Sequence, residues 1–85
     1  MEVIRLNSFK RDYKKLPLVI QKKLDKQLQL FIQNPGHPSL RVRKIERDPR
    51  CWEARISREY RFTFEWVKDI LLLRRAGTHD ILKNP

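Results

Sequence analysis

A lone cysteine, Cys51, rules out an internal disulfide and any cysteine-based zinc cluster. It is expected to be a small buried residue in a strand. The two histidines, His37 and His79, stand far apart and lack companions at ligand spacing, so no metal site is expected. Glycine occurs only at Gly36 and Gly77, which leaves no glycine-rich loop to cradle a nucleotide phosphate, and no cofactor is expected. Long apolar runs are missing too. The longest, "ILLL" at 70–73, is far too short to span a membrane. The opening "MEVIRLNS" carries no signal-peptide pattern. We therefore expect a cytoplasmic protein with no membrane partner. Acidic residues are scarce as well: ten Asp/Glu against twenty Lys/Arg leave a net charge of +10. That imbalance favours a polyanion or an acidic protein as partner, beyond what solubility requires.

What is present suits one small folded domain spanning residues 1–85. Apolar residues at 40% and charged residues at 35% fit a folded chain rather than a disordered tail. A short strand is expected at 2–6. Asn7 or Ser8 can cap a helix in which Phe9, Tyr13 and Leu16 share one face. Pro17 disfavours continuation and suits the first turn of a second helix, 17–33, with Ile20, Leu24, Leu28 and Ile32 as its buried stripe. "NPGHPS" at 34–39 ends it. The period then changes to that of strands, at 40–46, 51–56, 60–66 and 70–77, joined by short turns. "YRFTFEW" alternates without a break. The expected fold is α+β, in the order β-α-α-β-β-β-β. A helical hairpin should pack on the aromatic face of a mostly antiparallel sheet. The opposite face carries Glu53, Arg55, Arg61, Thr63 and Glu65, stays open, and is where a ligand would lie.

On that face Arg55 and Arg61 flank the connection "SRE". His79 follows the last strand, in the same parity as Leu71 and Leu73. A bend or bulge near Gly77 is needed to bring it to the charged side. The group so formed lacks a protein nucleophile–base pair. It suits RNA, whose own 2′-hydroxyl is the nucleophile. Histidine can then move protons near neutral pH, and arginines can hold and stabilise the phosphate. Plainer readings stay open at each position. Thr78 and His79 could equally cap a final turn. His37 could be loop surface, and Arg43, Lys44 and Arg47 a solvated face. Trp52 and Trp66 are in phase with the core, and Glu53 and Glu65 can pair with cross-strand arginines.

The segments "FKRDYKKLP", "NPGHPSLRVRKI", "WEARISREYRFTFEW" and "LLLRRAGTHDIL", in this order, resemble the RelE/ParE superfamily of toxins from type II toxin–antitoxin systems. The RelE/YafQ-like branch is the nearer in its "GTHDIL" ending. The resemblance covers nearly the whole chain. It implies a RelE-like α+β fold and a cognate acidic antitoxin in an oligomeric complex. It also implies a ribosome-dependent, metal-independent mRNA endonuclease that inhibits translation, with mRNA on the ribosome as substrate. The alternative implied is a ParE-like inhibitor of DNA gyrase, or a degenerate toxin that only binds. By position Arg61 matches the family's phosphate-binding arginine. Glu53, Arg55 and His79 fall at active-site positions, and these four are the expected catalytic residues. Arg43, Lys44, Arg75 and Lys83 are expected to bind substrate. His37 aligns loosely with a histidine that some YafQ-like members use. The chain departs from the pattern at its end, where Lys83 stands about where several active members carry an aromatic residue.

Overall fold

The computed structural model describes all 85 residues. The chain runs β1 (Glu2–Arg5), α1 (Asn7–Lys15), α2 (Leu18–Gln33), a 3-10 turn (Pro38–Leu40), β2 (Arg43–Ile45), β3 (Asp48–Arg55), β4 (Tyr60–Val67), β5 (Ile70–Thr78) and a second 3-10 turn (His79–Lys83). The five strands form one sheet in the order β1-β5-β4-β3-β2. Strands β2 to β5 pair antiparallel, while β1 lies parallel to β5. The α+β architecture and element order are as expected.

Both helices bury their apolar faces on one side of the sheet. Phe9, Leu16, Ile20, Leu24, Leu28 and Phe31 meet Ala54, Phe62, Phe64, Leu71, Leu73 and Ala76 in one cluster. Strict alternation along β4 drives this, because every second residue is apolar and a strand sends every second side chain to one face. The stripe on α2 departs from expectation at its end: Phe31 is fully buried and Ile32 exposed. A 3.6-residue turn drifts away from a pure four-residue spacing, so the larger aromatic takes the last core position. Phe31 packs edge-on against Phe64 and Trp66, with ring centroids 5.1 and 5.2 Å away. Trp66 in turn meets Trp52 at 6.4 Å. Both tryptophans thus sit on the core side.

Helix α1 starts differently from the expectation. Leu6 holds the N-cap position, and no side chain caps the first turn. Ser8 instead donates to the carbonyl of Arg74 at 2.7 Å. One turn later Asp12 accepts from the backbone N–H of Ala76 at 3.0 Å. β1 ends at Arg5, opposite Leu73, so β5 would have an open edge beyond that point. Side chains of α1 satisfy its backbone groups there, as buried polar groups require.

Two further boundaries differ. The expected strand at 40–46 is only Arg43–Ile45, because Pro38 opens a 3-10 turn that buries Leu40 and leaves Arg41 left-handed at φ 47°. Strand β3 begins already at Asp48, and the register shifts between Lys44 and Ile45. The tight β4–β5 turn at 68–69 is made by Lys68 at φ 55°.

Candidate nucleic-acid interface

The polar side of the sheet is built by the central antiparallel register. Glu53 stands opposite Thr63, and Arg55 opposite Arg61. Arg43 lies opposite Glu53 on its other flank. On β5, Arg75 pairs with Thr63, and the next pair is Leu73 with Phe64, so Arg74 is an extra residue. Such a bulge reverses the parity of the strand. Leu71 and Leu73 face the core before it, while Gly77 reaches the polar side after it, opposite Arg61. The chain therefore switches faces at Arg74, three residues before the glycine at which a bend was expected.

Gly77 has another task. A Cβ there would lie 2.9 Å from Cγ2 of Ile81, which the final 3-10 turn folds down onto the sheet. Ile81 is buried but stands outside the main core cluster. Thr63 Oγ1 donates to the Pro85 carbonyl at 3.2 Å, and Arg74 Nε donates to the same oxygen at 3.1 Å. The polar face is thus not open, as expected from sequence, but partly roofed by residues 79–85. A single helical layer left uncovered polar groups, and this segment supplies their partners.

Beside the roof lie two adjoining clefts. One, of about 420 Å³, is lined by Arg43, Glu53, His79 and Lys83 among others. The next, of about 330 Å³, is lined by Arg41, Val42, Arg43, Glu53, Arg55 and Arg61. They share Arg43 and Glu53. His79 is exposed at the start of the 3-10 turn. Thr78 holds the N-cap position there, yet its side chain makes no capping bond.

Glu53 is the counter-ion at the junction. Its two carboxylate oxygens stand 3.4 Å from Arg61 Nε and 3.5 Å from Arg43 Nε. Glu53 and Arg61 have side chains only 8% and 16% exposed. The attraction between them is coulombic, without an aligned hydrogen bond, and Arg61 Nε and Nη1 and Arg55 Nε are buried with no hydrogen-bond partner. Buried donors are normally paired, so unpaired ones at a cleft mark a place where an acceptor can bind. The guanidinium of Arg55 is held below its ordinary proton affinity, first by loss of surrounding water and then by the cations at Arg41, Arg61, Arg43 and Arg58. An anion placed among them would relieve that repulsion.

The structure therefore brings Glu53, Arg55, Arg61, Arg43, His79 and Lys83 to one region. Two other expected substrate contacts are engaged elsewhere. Lys44 borders the first cleft, but its ammonium lies over the Trp52 ring, 5.3 Å from the centroid, because it pairs with Trp52 on the core side. Arg75 bonds Asp12 at 2.6 Å and the Asn84 carbonyl at 3.0 Å, in a separate cleft beside α1. His37 lies half-buried on its loop, where Nδ1 accepts from the Ser39 N–H at 3.1 Å, away from the arginine cleft. Arg41 is the lining residue that sequence reasoning misses. It reads as an ordinary strand position, and only the 3-10 turn before it swings it to the cleft. A left-handed non-glycine residue costs roughly 1–2 kcal/mol, and such strain concentrates at working sites.

No family model matches the chain, and no curated protein matches it by sequence. Solved structures do match. A YoeB/ParE toxin from Agrobacterium tumefaciens superposes with a TM-score of 0.78 at 16% identity, over 93% of this chain and 99% of that one. YafQ from E. coli gives 0.76 at 19% identity, over 95% and 96%. The RelB–RelE antitoxin–toxin complex from Methanococcus jannaschii gives 0.71 at 20% identity, over 95% of each chain. The chain has the α+β fold of the RelE/ParE toxins. Within that class its neighbours are of the YoeB, YafQ and RelE kinds, and YafQ is among those seen bound to an antitoxin, DinJ.

Proposed function

We propose that this protein is the toxin of a type II toxin–antitoxin pair and cleaves mRNA on the ribosome. The observation that carries the reading is the pair of arginines, Arg55 and Arg61, with buried N–H groups that lack partners at a cleft of about 330 Å³. A phosphate diester oxygen is the acceptor such donors suit. The fold supports the reading through its YafQ and RelE neighbours, both seen with antitoxins.

In this mechanism the RNA 2′-hydroxyl loses its proton and its oxygen attacks the adjacent phosphorus. The bond to the 5′-oxygen breaks, and that oxygen gains a proton. The products are a 2′,3′-cyclic phosphate and a free 5′-hydroxyl, with no electrons gained or lost. His79, on the cleft next to the arginines, moves the proton. Arg61 and Arg55 stabilise charge that grows on the phosphorane oxygens. Glu53 orients Arg61 and Arg43 through its two oxygens, and Arg43 and Lys83 hold the flanking RNA. An acidic antitoxin segment would neutralise the same cations, and the complex is expected to be oligomeric.

Induced expression with pulse labelling tests this. Rapid arrest of protein synthesis, with mRNA cleaved at ribosome-bound positions, is the expected result. Arrest of DNA synthesis with protein synthesis intact would assign a gyrase inhibitor instead, and no arrest of either would leave a binding protein.

A further inference from the structure

Beyond the arginine cleft the polar surface continues into a third and larger opening of about 870 Å³. It lies between α2, the loop that follows it and the β3–β4 connection. Lys23 and Lys26 of α2, His37, Arg55 and Arg58 line it, and no acidic residue does. Lys23, Lys26 and Arg58 are exposed and make no salt bridge. The walls are set by the backbone: Gln27 Nε2 donates to the Arg55 carbonyl at 2.9 Å and pins α2 to the end of β3. Leu30, half-buried, adds apolar surface to the lining, with the core residue Ile56 beneath it.

The openings share residues in series. Arg43 and Glu53 belong to the first and second, and Arg55 to the second and third. A single strand of nucleic acid fits this pattern, with regularly repeated phosphates for the cations and bases to lie on apolar surface. A compact anion such as inorganic phosphate would fill only the central cleft and leave Lys23, Lys26 and Arg58 without a role.

We propose that the three openings form one track for single-stranded RNA, in which Lys23, Lys26 and Arg58 bind phosphates of nucleotides flanking the one held by Arg55 and Arg61. The proposal rests on the nuclease reading and deepens it. It assigns a binding surface on α2, away from the reacting atoms.

The test uses the full chain and RNA of three or nine nucleotides with 2′-fluoro sugars, which have no attacking hydroxyl. Affinity is measured between about 50 and 200 mM salt. The nine-mer should bind more tightly and with the steeper salt dependence. The triple variant Lys23→Ala/Lys26→Ala/Arg58→Ala should lose that advantage. Its log–log slope for the nine-mer should fall by about 2, at roughly 0.7 for each phosphate no longer neutralised. Three-mer binding should not change. Equal affinity for the two lengths in the parent protein, or a nine-mer unaffected by the triple substitution, overturns the track. If the variant keeps RNA binding but no longer captures a co-expressed acidic antitoxin, the surface belongs to a protein partner and the proposal is equally overturned. The two readings fail separately. Length-dependent binding without mRNA cleavage in cells sinks the nuclease and keeps the track. Cleavage without length dependence does the reverse.

Discussion

Oε1 of Glu53 stands 3.4 Å from Nε of Arg61, across the β3–β4 pair, and both side chains are largely withdrawn from water. The carboxylate is close enough to hold the cation, yet Nε and Nη1 of Arg61 find no aligned acceptor. Arg61 is thus held in position by Glu53 and still short of an acceptor, which is what the proposed phosphate-binding role requires.

Arg61→Ala should lower ribosome-dependent cleavage by about 10²–10³-fold, or roughly 2.7–4 kcal/mol of transition-state stabilisation. Arg61→Lys should recover only part of this, since an ammonium cannot reproduce a planar two-point contact. Single-turnover cleavage of a ribosome-bound message reads both. Equal rates for the parent and the Ala variant would remove Arg61 from the site.

Glu53→Gln leaves Arg61 and Arg43 without their shared carboxylate and adds to the repulsion on Arg55. Breaking a buried pair from one side costs on the order of 3 kcal/mol. We expect a lower urea midpoint. Added phosphate should raise the midpoint of the variant more than that of the parent, because the anion replaces the missing charge. A variant as stable as the parent, with no greater response to phosphate, would mean that Glu53 is not the counter-ion.

Gly77→Ala puts a methyl group 2.9 Å from Cγ2 of Ile81. Overpacking of this kind costs roughly 1–3 kcal/mol and should lift the 3-10 turn that carries His79. Cleavage should fall along with stability. Ile81→Ala removes Cγ2 with the rest of the side chain beyond Cβ, and the double variant Gly77→Ala/Ile81→Ala should be more stable than the sum of the singles implies. Simple additivity in thermal melts would show that the two residues do not meet.

Cys51 is fully buried, and burial, with the Asp48 carboxylate accepting its S–H at 3.4 Å, pushes the thiol up to about 11. Native protein should react slowly with thiol reagents at neutral pH, and unfolded protein quickly. The folded state keeps its proton above the pH at which the unfolded thiol has lost it. Stability should therefore fall as pH rises from about 8.5 towards 11, by up to about 1.4 kcal/mol per pH unit. A Cys51→Ala variant should lack this alkaline slope in its urea midpoints.

Local pattern decided much of this protein. Alternation along "YRFTFEW" placed Phe62, Phe64 and Trp66 inward and Arg61 and Glu65 outward. The four-residue spacing of Ile20, Leu24 and Leu28 marked the face of α2 that meets them. The expectation that Arg55 and Arg61 lie together on the polar side followed from parity and one short connection. These features have periods of two or nearly four residues, which a linear reading resolves because side-chain direction depends on local backbone geometry. The extra residue at Arg74 broke that rule in β5. Nothing in "LLLRRAGT" announces it, since a bulge is selected by the partner strand and by what lies at the open edge, here Ser8 and Asp12 of α1.

The sequence by itself therefore determined the two layers, their contact and the basic character of one face. Tertiary structure alone decided which cations face a cleft. It gave Lys44 to Trp52 and Arg75 to Asp12, swung Arg41 into the arginine cleft, and laid residues 79–85 across a face that parity left open. The reason is physical. A pattern of hydrophobic residues reports what must leave water, whereas the partner of a charge depends on which distant groups the packed chain brings within a few ångströms.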